Sequence, residues 1–105
     1  MSGPSGDLDL DRLIHEPSRL AILTVLSSAR DADFVFLQRT TKLTNGNLSS
    51  HLTKLEEAGL VTIAKTFVGK KPHTSVALTR DGRKRIAQHW EQLDRLKRLA
   101  IPPER

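Results

Sequence analysis

Apolar residues recur along this chain at two periods, and the switch between them lays out the elements. Leu20, Leu23 and Leu26 fall at helical spacing, with Ile22 and Val25 widening the stripe, so a helix is expected from about Pro17 to Ser28. Glu16 precedes a proline and is biased away from the helical region, while Pro17 suits the first helical turn. Upstream, "LDLDRLIH" places Leu8, Leu10, Leu13 and Ile14 on a short amphipathic stretch. After the polar break "ARDAD", Asp33 can N-cap "FVFLQRTT", with Phe34, Phe36 and Leu37 facing inward, although "FVF" alone could also be a strand. Thr44 or Asn45 then caps a helix with Leu48, Leu52 and Leu55 on its buried stripe, ending at Gly59. That helix, over 45–58, is about 20 Å long.

The period then changes to two. Val61, Ile63, Lys65 and Phe67 alternate with Thr62, Ala64 and Thr66, and Val76 and Leu78 repeat the pattern beyond "GKKP". Two such runs around a turn predict a hairpin, with Pro72 in the loop or at an edge because it lacks an N–H. Thr79 is the next N-cap, Asp81 sits favourably in the first turn, and a last helix over 80–99 aligns Ile86, Trp90, Leu93, Leu96 and Ala100 before "PPER". The expected organisation is a flexible tail over 1–7, one domain over 8–100 and a second tail over 101–105.

Composition narrows the choice. A chain of 105 residues that is 37% hydrophobic and 4% aromatic can bury only a small core, so stability leans on a partner subunit. Seventeen Lys and Arg against twelve Asp and Glu give a net charge of +5, the usual footprint of a polyanion binder, though also compatible with a protein that is merely basic. The charge is unevenly placed. Residues 1–16 hold one arginine against four carboxylates, residues 42–75 five lysines against Glu56 and Glu57, and residues 80–98 seven basic groups against three acidic ones. With no cysteine, thiol catalysis and thiolate metal sites are excluded. No two of His15, His51, His73 and His89 are four residues apart, so no metal site and no cofactor is expected. Phosphate-cradling, nucleophile-elbow and zinc-protease motifs are absent, and Glu56 and Glu57 point to different sides of a helix; the chain does not read as an enzyme. Lacking a long apolar stretch or a leader, it reads as soluble and cytoplasmic, with no membrane partner.

The order helix, helix, short turn, helix, hairpin, helix is that of a winged helix: an α+β, mostly α fold with a helix-turn-helix, a two-stranded β-hairpin wing and a C-terminal helix. "NLSSHLTKLEEAGLV" followed by a basic hairpin and "LTRDG" resembles the small winged-helix transcriptional regulators of the MarR/ArsR/PadR-like group, in particular short members with a terminal helix and no separate ligand domain. The resemblance spans about residues 8–98. It implies that the helix over 45–58 enters the major groove of double-stranded DNA.

The residue chemistry agrees with that implication. Asn47 can pair bidentately with adenine, Ser49 and Ser50 can serve base or phosphate, His51 can donate to phosphate and Lys54 can neutralise one, with Asn45 at the helix start. The alternative is an ordinary solvated face, and Glu57 departs from a basic one. By the same resemblance Lys70 and Lys71, with His73, form a wing that reaches the backbone or minor groove; otherwise they protect an edge strand. Arg39 and Lys42 flank the turn and are candidate phosphate contacts. Lys65 is a lesser one, and Arg19 could equally be a surface residue. Related regulators dimerise through terminal helices, which here would bring together Leu8, Leu10, Leu13, Ile86, Trp90, Leu93 and Leu96, with the acidic start meeting the basic end across the interface. Trp90 is expected to be buried, which disfavours a single-stranded RNA reader. A sequence-specific, homodimeric DNA-binding regulator, with repression the more usual mode, is the expected function. The alternative is a winged helix that docks proteins and binds no DNA. Nothing in the chain names an operator or an effector; a cleft between the first and terminal helices could take an apolar ligand, but a dimer seam would look the same.

Overall fold

The computed structural model describes residues 10–100. Helix α1, Pro17–Ser27, starts where expected: Glu16 is extended and its carboxylate accepts the N–H of Arg19 at 2.8 Å, while Pro17 occupies the first turn. Ile22, Leu23 and Leu26 are buried. The polar break leads into a two-residue strand β1, Ala32–Asp33, and directly into helix α2, Phe34–Thr41. Asp33 does two jobs. Its backbone ends β1, and its carboxylate caps α2 by accepting the N–H of Phe36 at 2.6 Å. That cap explains why "FVF" is helical despite its strand-like composition. The inward set differs from expectation, however. Leu37 is buried and Phe34 packs partly against the core, but Phe36 is 51% exposed, because it lies one position from Leu37 on a helix that buries a single narrow stripe.

The chain turns through Lys42, which holds a left-handed conformation (φ 62°), and enters helix α3, Asn45–Glu57. Thr44 is its N-cap, its hydroxyl accepting the N–H of Asn47 at 3.1 Å. Leu48, Leu52 and Leu55 are buried as the spacing demands. Each contributes about 2 kcal/mol of transfer free energy, so the stripe fixes which way the opposite edge points.

Gly59, at φ 79°, ends this segment, and strands β2, Val61–Val68, and β3, Lys71–Leu78, form an antiparallel hairpin around Gly69 and Lys70. The sheet has three strands in the order β1-β3-β2, one more than the hairpin expected from sequence. Two residues are too few to leave an alternating pattern. Pro72 pairs with Phe67 inside β3, at a level where β1, which meets only Ser75 and Val76, no longer flanks it; its missing N–H is tolerated on that open edge.

Helix α4, Arg80–Leu99, is capped by Thr79, whose hydroxyl accepts the N–H of Gly82 at 2.9 Å and donates to the carbonyl of Gly59 at 2.7 Å. Gly82 lies so close to Leu60 that a Cβ there would overlap its carbonyl. The Arg83 guanidinium donates to the carbonyls of Ser27 and Ala29, each at 3.4 Å, and so closes the C-terminal end of α1. Ile14, the α1 and α3 leucines, Leu37, Leu60, Val61, Val76 and Ile86 make one core between the helices and the sheet.

Candidate nucleic-acid interface

Because Leu48, Leu52 and Leu55 turn inward, Asn45, Gly46, Asn47, Ser49, Ser50, Thr53 and Lys54 all stand exposed on α3. The Thr53 hydroxyl is used internally, donating to the Ser49 carbonyl at 2.9 Å. The side chains of Asn45, Asn47, Ser49, Ser50 and Lys54 make no hydrogen bond among the described residues. The first turn carries no acidic residue, so the positive end of the helix dipole is not offset there. Glu57 is exposed at the far end, about 15 Å along the axis from Asn47.

His51 is placed differently from its neighbours. It is half-buried against α1, with Nδ1 3.2 Å from Nη1 of Arg19 and 3.9 Å from the Glu16 carboxylate. A guanidinium can only donate, so Nδ1 of His51 accepts and the ring proton sits on Nε2. Arg19 is itself anchored by Nε to the Leu13 carbonyl at 2.6 Å. This contact orients the His51 ring and leaves Nε2 as its donating nitrogen. Arg19 is thus a positioning residue more than a free phosphate contact. Its partner is 32 residues away, so no local pattern could have shown it.

Lys70 and Lys71 are exposed at the hairpin tip. His73 is not brought there: it is half-buried beside Asp33 and Phe34, near the start of α2. Arg39, in the last turn of α2, and Lys42, at its C-cap, are exposed on either side of the turn that leads into α3. A shallow groove separates α3 from the wing, bordered by Ser49 and Thr53 on one wall and Ile63, Lys65 and Thr74 on the other. Lys65 therefore lies beside the exposed polar edge of α3, though it occupies the apolar register of its strand.

The terminal elements form a separate seam. The acidic start does meet the basic last helix, but within one chain: Asp11 Oδ2 lies 2.7 Å from Nη2 of Arg85. Burial pushes the Asp11 carboxyl up, yet the hydrogen bond and charge of Arg85, with the amides of Ile14 and Leu13, outweigh it and hold the group below its ordinary value. His89 is fully buried; its Nε2 is 3.1 Å from Nδ1 of His15, and its own Nδ1 has no partner among the described residues. Burial first, then the neighbouring His15, lower its pKa against a smaller opposing pull from Asp11. A groove beside α4 is lined by Leu10 and Asp11 on one side and by Arg85, Glu91 and Arg95 on the other, so its rim is largely charged.

Among the residues expected at a dimer seam, Leu8 lies outside the described residues. Ile86 is 2% exposed and belongs to the protomer's own core, because α4 packs on the sheet through its first turns. Leu13 packs against the same core, while Leu10, Leu93 and Leu96 are half-buried. Trp90 is not buried by its own chain as expected but 41% exposed, and Leu99, which the sequence reading did not single out, is 64% exposed. Among the described residues no cluster of three His, Asp or Glu is arranged to hold a metal ion, and no helix is long and apolar enough to cross a membrane.

A helix-turn-helix with an exposed polar edge, next to a lysine-tipped hairpin, defines a winged helix of the DNA-binding type. The winged helix DNA-binding domain family matches residues 18–97, and the chain belongs to it. That family consists of DNA-binding regulators and not of enzymes. The chain is 33% identical over 72 residues to the uncharacterized protein MJ0432 of Methanocaldococcus jannaschii, covering 69% of this chain and 78% of that one. It superposes on a transcriptional regulator homologue from Pyrococcus horikoshii OT3 with a TM-score of 0.80 at 32% identity, over 87% of this chain and 91% of the other. The transcriptional repressor CouR, bound to a 23-mer DNA duplex, shares the fold at a TM-score of 0.69 and 21% identity, covering 85% and 66% of the two chains. Regulators of the MarR family are among the structural neighbours.

Proposed function

We propose that this chain is a cytoplasmic, homodimeric transcriptional repressor that reads a specific duplex sequence with α3 and grips the flanking backbone with the wing. The observation that carries this reading is the α3 edge: Asn45, Asn47, Ser49 and Ser50 are exposed, lack internal partners, and sit at the positive end of a helix whose other face is locked by three leucines. Asn47 would pair with a base, Ser49 and Ser50 would take base or phosphate, and His51, Lys54, Lys70 and Lys71 would take phosphates, with Arg39 and Lys42 at the flank. The duplex held by CouR supports the choice of ligand, and that protein's description as a repressor supports the mode.

Exposed Trp90, with half-buried Leu93 and Leu96 within about 120° of it around α4, gives that helix an apolar side that its own chain leaves partly open, which supports a second copy there. Two recognition helices would then meet half-sites about 34 Å apart. Selection from random duplex DNA tests the whole reading. A recovered palindrome with half-sites one helical turn apart is the expected result, and Asn47→Ala should relax the preference at a single base pair in each half. Equal retention of selected and scrambled duplexes at physiological salt would rule the reading out. A stable complex with another protein, without retardation of any duplex at low salt, would favour a protein-docking winged helix instead.

A further inference from the structure

The wing tip carries an apolar feature that neither folding nor phosphate contact explains. Phe67 is 72% exposed and Val68 65%, more than any other large hydrophobic residue described. Their cross-strand partners are Pro72 and Lys71, both exposed, so the ring is not packed into the core. Strand alternation puts Phe67 on the face that also carries Ile63 and Lys65. Those two residues border the groove whose other wall is Ser49 and Thr53 of α3. The phenyl ring therefore continues that row about 7 Å beyond Lys65, on the side of the hairpin turned toward the recognition helix. Its surroundings are cationic. No carboxylate occurs between Glu57 and Asp81, whereas Lys65, Lys70 and Lys71 do.

We propose that Phe67 is a wedge that enters the minor groove of the bound duplex and partly unstacks one base step, kinking the DNA beside the α3 contacts. The inference rests on the duplex-binding reading above. An apolar ring collared by lysines fits this partner: the lysines neutralise phosphates on the groove walls, and the ring inserts where base edges and faces are reached together. Pyrimidine–purine steps unstack most readily, so a TA or CA step should recur in bound sequences at the wing position, where the protein makes no bidentate base contact.

The test uses the full chain and a duplex recovered by selection on it. Dyes at the two ends report bending, and 2-aminopurine placed singly at the wing-side steps reports unstacking. The unmodified chain should bend the duplex by about 20–90° and brighten one step. Phe67→Ala should remove both signals and weaken binding about tenfold, while Phe67→Leu should keep part of the bend. Lys70→Ala should weaken binding and lower its salt dependence with the bend unchanged. Thermal melting shows that each variant is folded. An unbent duplex with the unmodified chain, or an unaltered bend with Phe67→Ala, overturns the wedge while leaving duplex binding intact. Failure of the unmodified chain to retain any duplex at low salt removes the DNA reading itself, and the wedge with it.

Discussion

The junction between the sheet and α4 and the outer edge of α3 use the same residue types for opposite ends. At the junction, Thr79 accepts from the N–H of Gly82, donates through its hydroxyl to Gly59, and donates its own N–H to Leu60 at 3.0 Å. Gly82 has no room for a side chain because the Leu60 carbonyl occupies that space. On the α3 edge, Gly46 has nothing within 4 Å of where a Cβ would stand, and the neighbouring Asn47 and Ser50 side chains meet no partner. One glycine is demanded by the chain's own packing and the other is not. A residue that folding does not account for, on an edge where its neighbours are equally unaccounted for, is where an external surface is to be sought.

Breaking the comparison at its tight end should give the largest effect. Gly82→Ala must push the Leu60 carbonyl aside and is expected to cost about 3 kcal/mol of stability, the upper end for overpacking, seen as a large drop in the urea midpoint. At the open end, replacing Lys70 and Lys71 by alanine should leave the melting temperature unchanged. The same double change should weaken duplex binding and reduce the slope of log affinity against log salt by about 1.8 for each protomer bound, about 3.6 for the proposed dimer. Gly46→Ala sharpens the contrast most directly. It should raise stability by about 0.5 kcal/mol, since alanine is the better helix former, yet lower duplex affinity if the DNA backbone passes close to that position. A gain in stability with unaltered binding would show that nothing approaches Gly46.

The smallest expected effect concerns the seam. His89 titrates below its ordinary value of 6.5 in the folded chain. The unfolded chain therefore binds more protons as pH falls through that value, so stability is complete above about 6.5 and declines below it. Melting temperatures between pH 7.5 and 5 should show this decline, and His89→Leu should flatten it.

Most of the scaffold was legible in the sequence because it rests on local chemistry. Period and capping residues are short-range signals, and Leu48, Leu52 and Leu55, the caps Asp33, Thr44 and Thr79, and the alternation through Val61 and Ile63 all lie where they predict. What escaped depends on long-range geometry. Strand β1 exists only because β3 arrives to pair with it. Trp90 and Phe36 look like core residues by type, but the core is too small to enclose them, and Ile86, assigned to a seam, is enclosed instead. In the candidate interface, α3 spacing marked the exposed edge, but the locking of His51 by Arg19 and the retreat of His73 from the tip required the folded chain.

The two-residue strand β1 has a mechanical consequence. Through Ala32 and Asp33 it bonds the wing's central strand to the residue that caps α2, so the hairpin and the helix-turn-helix share a hinge point that cannot open without losing both. The root of the wing is thereby tied to α2 in the free protein. A duplex gripped by both, as proposed, would meet a wing already joined to the helix-turn-helix rather than one that docks separately.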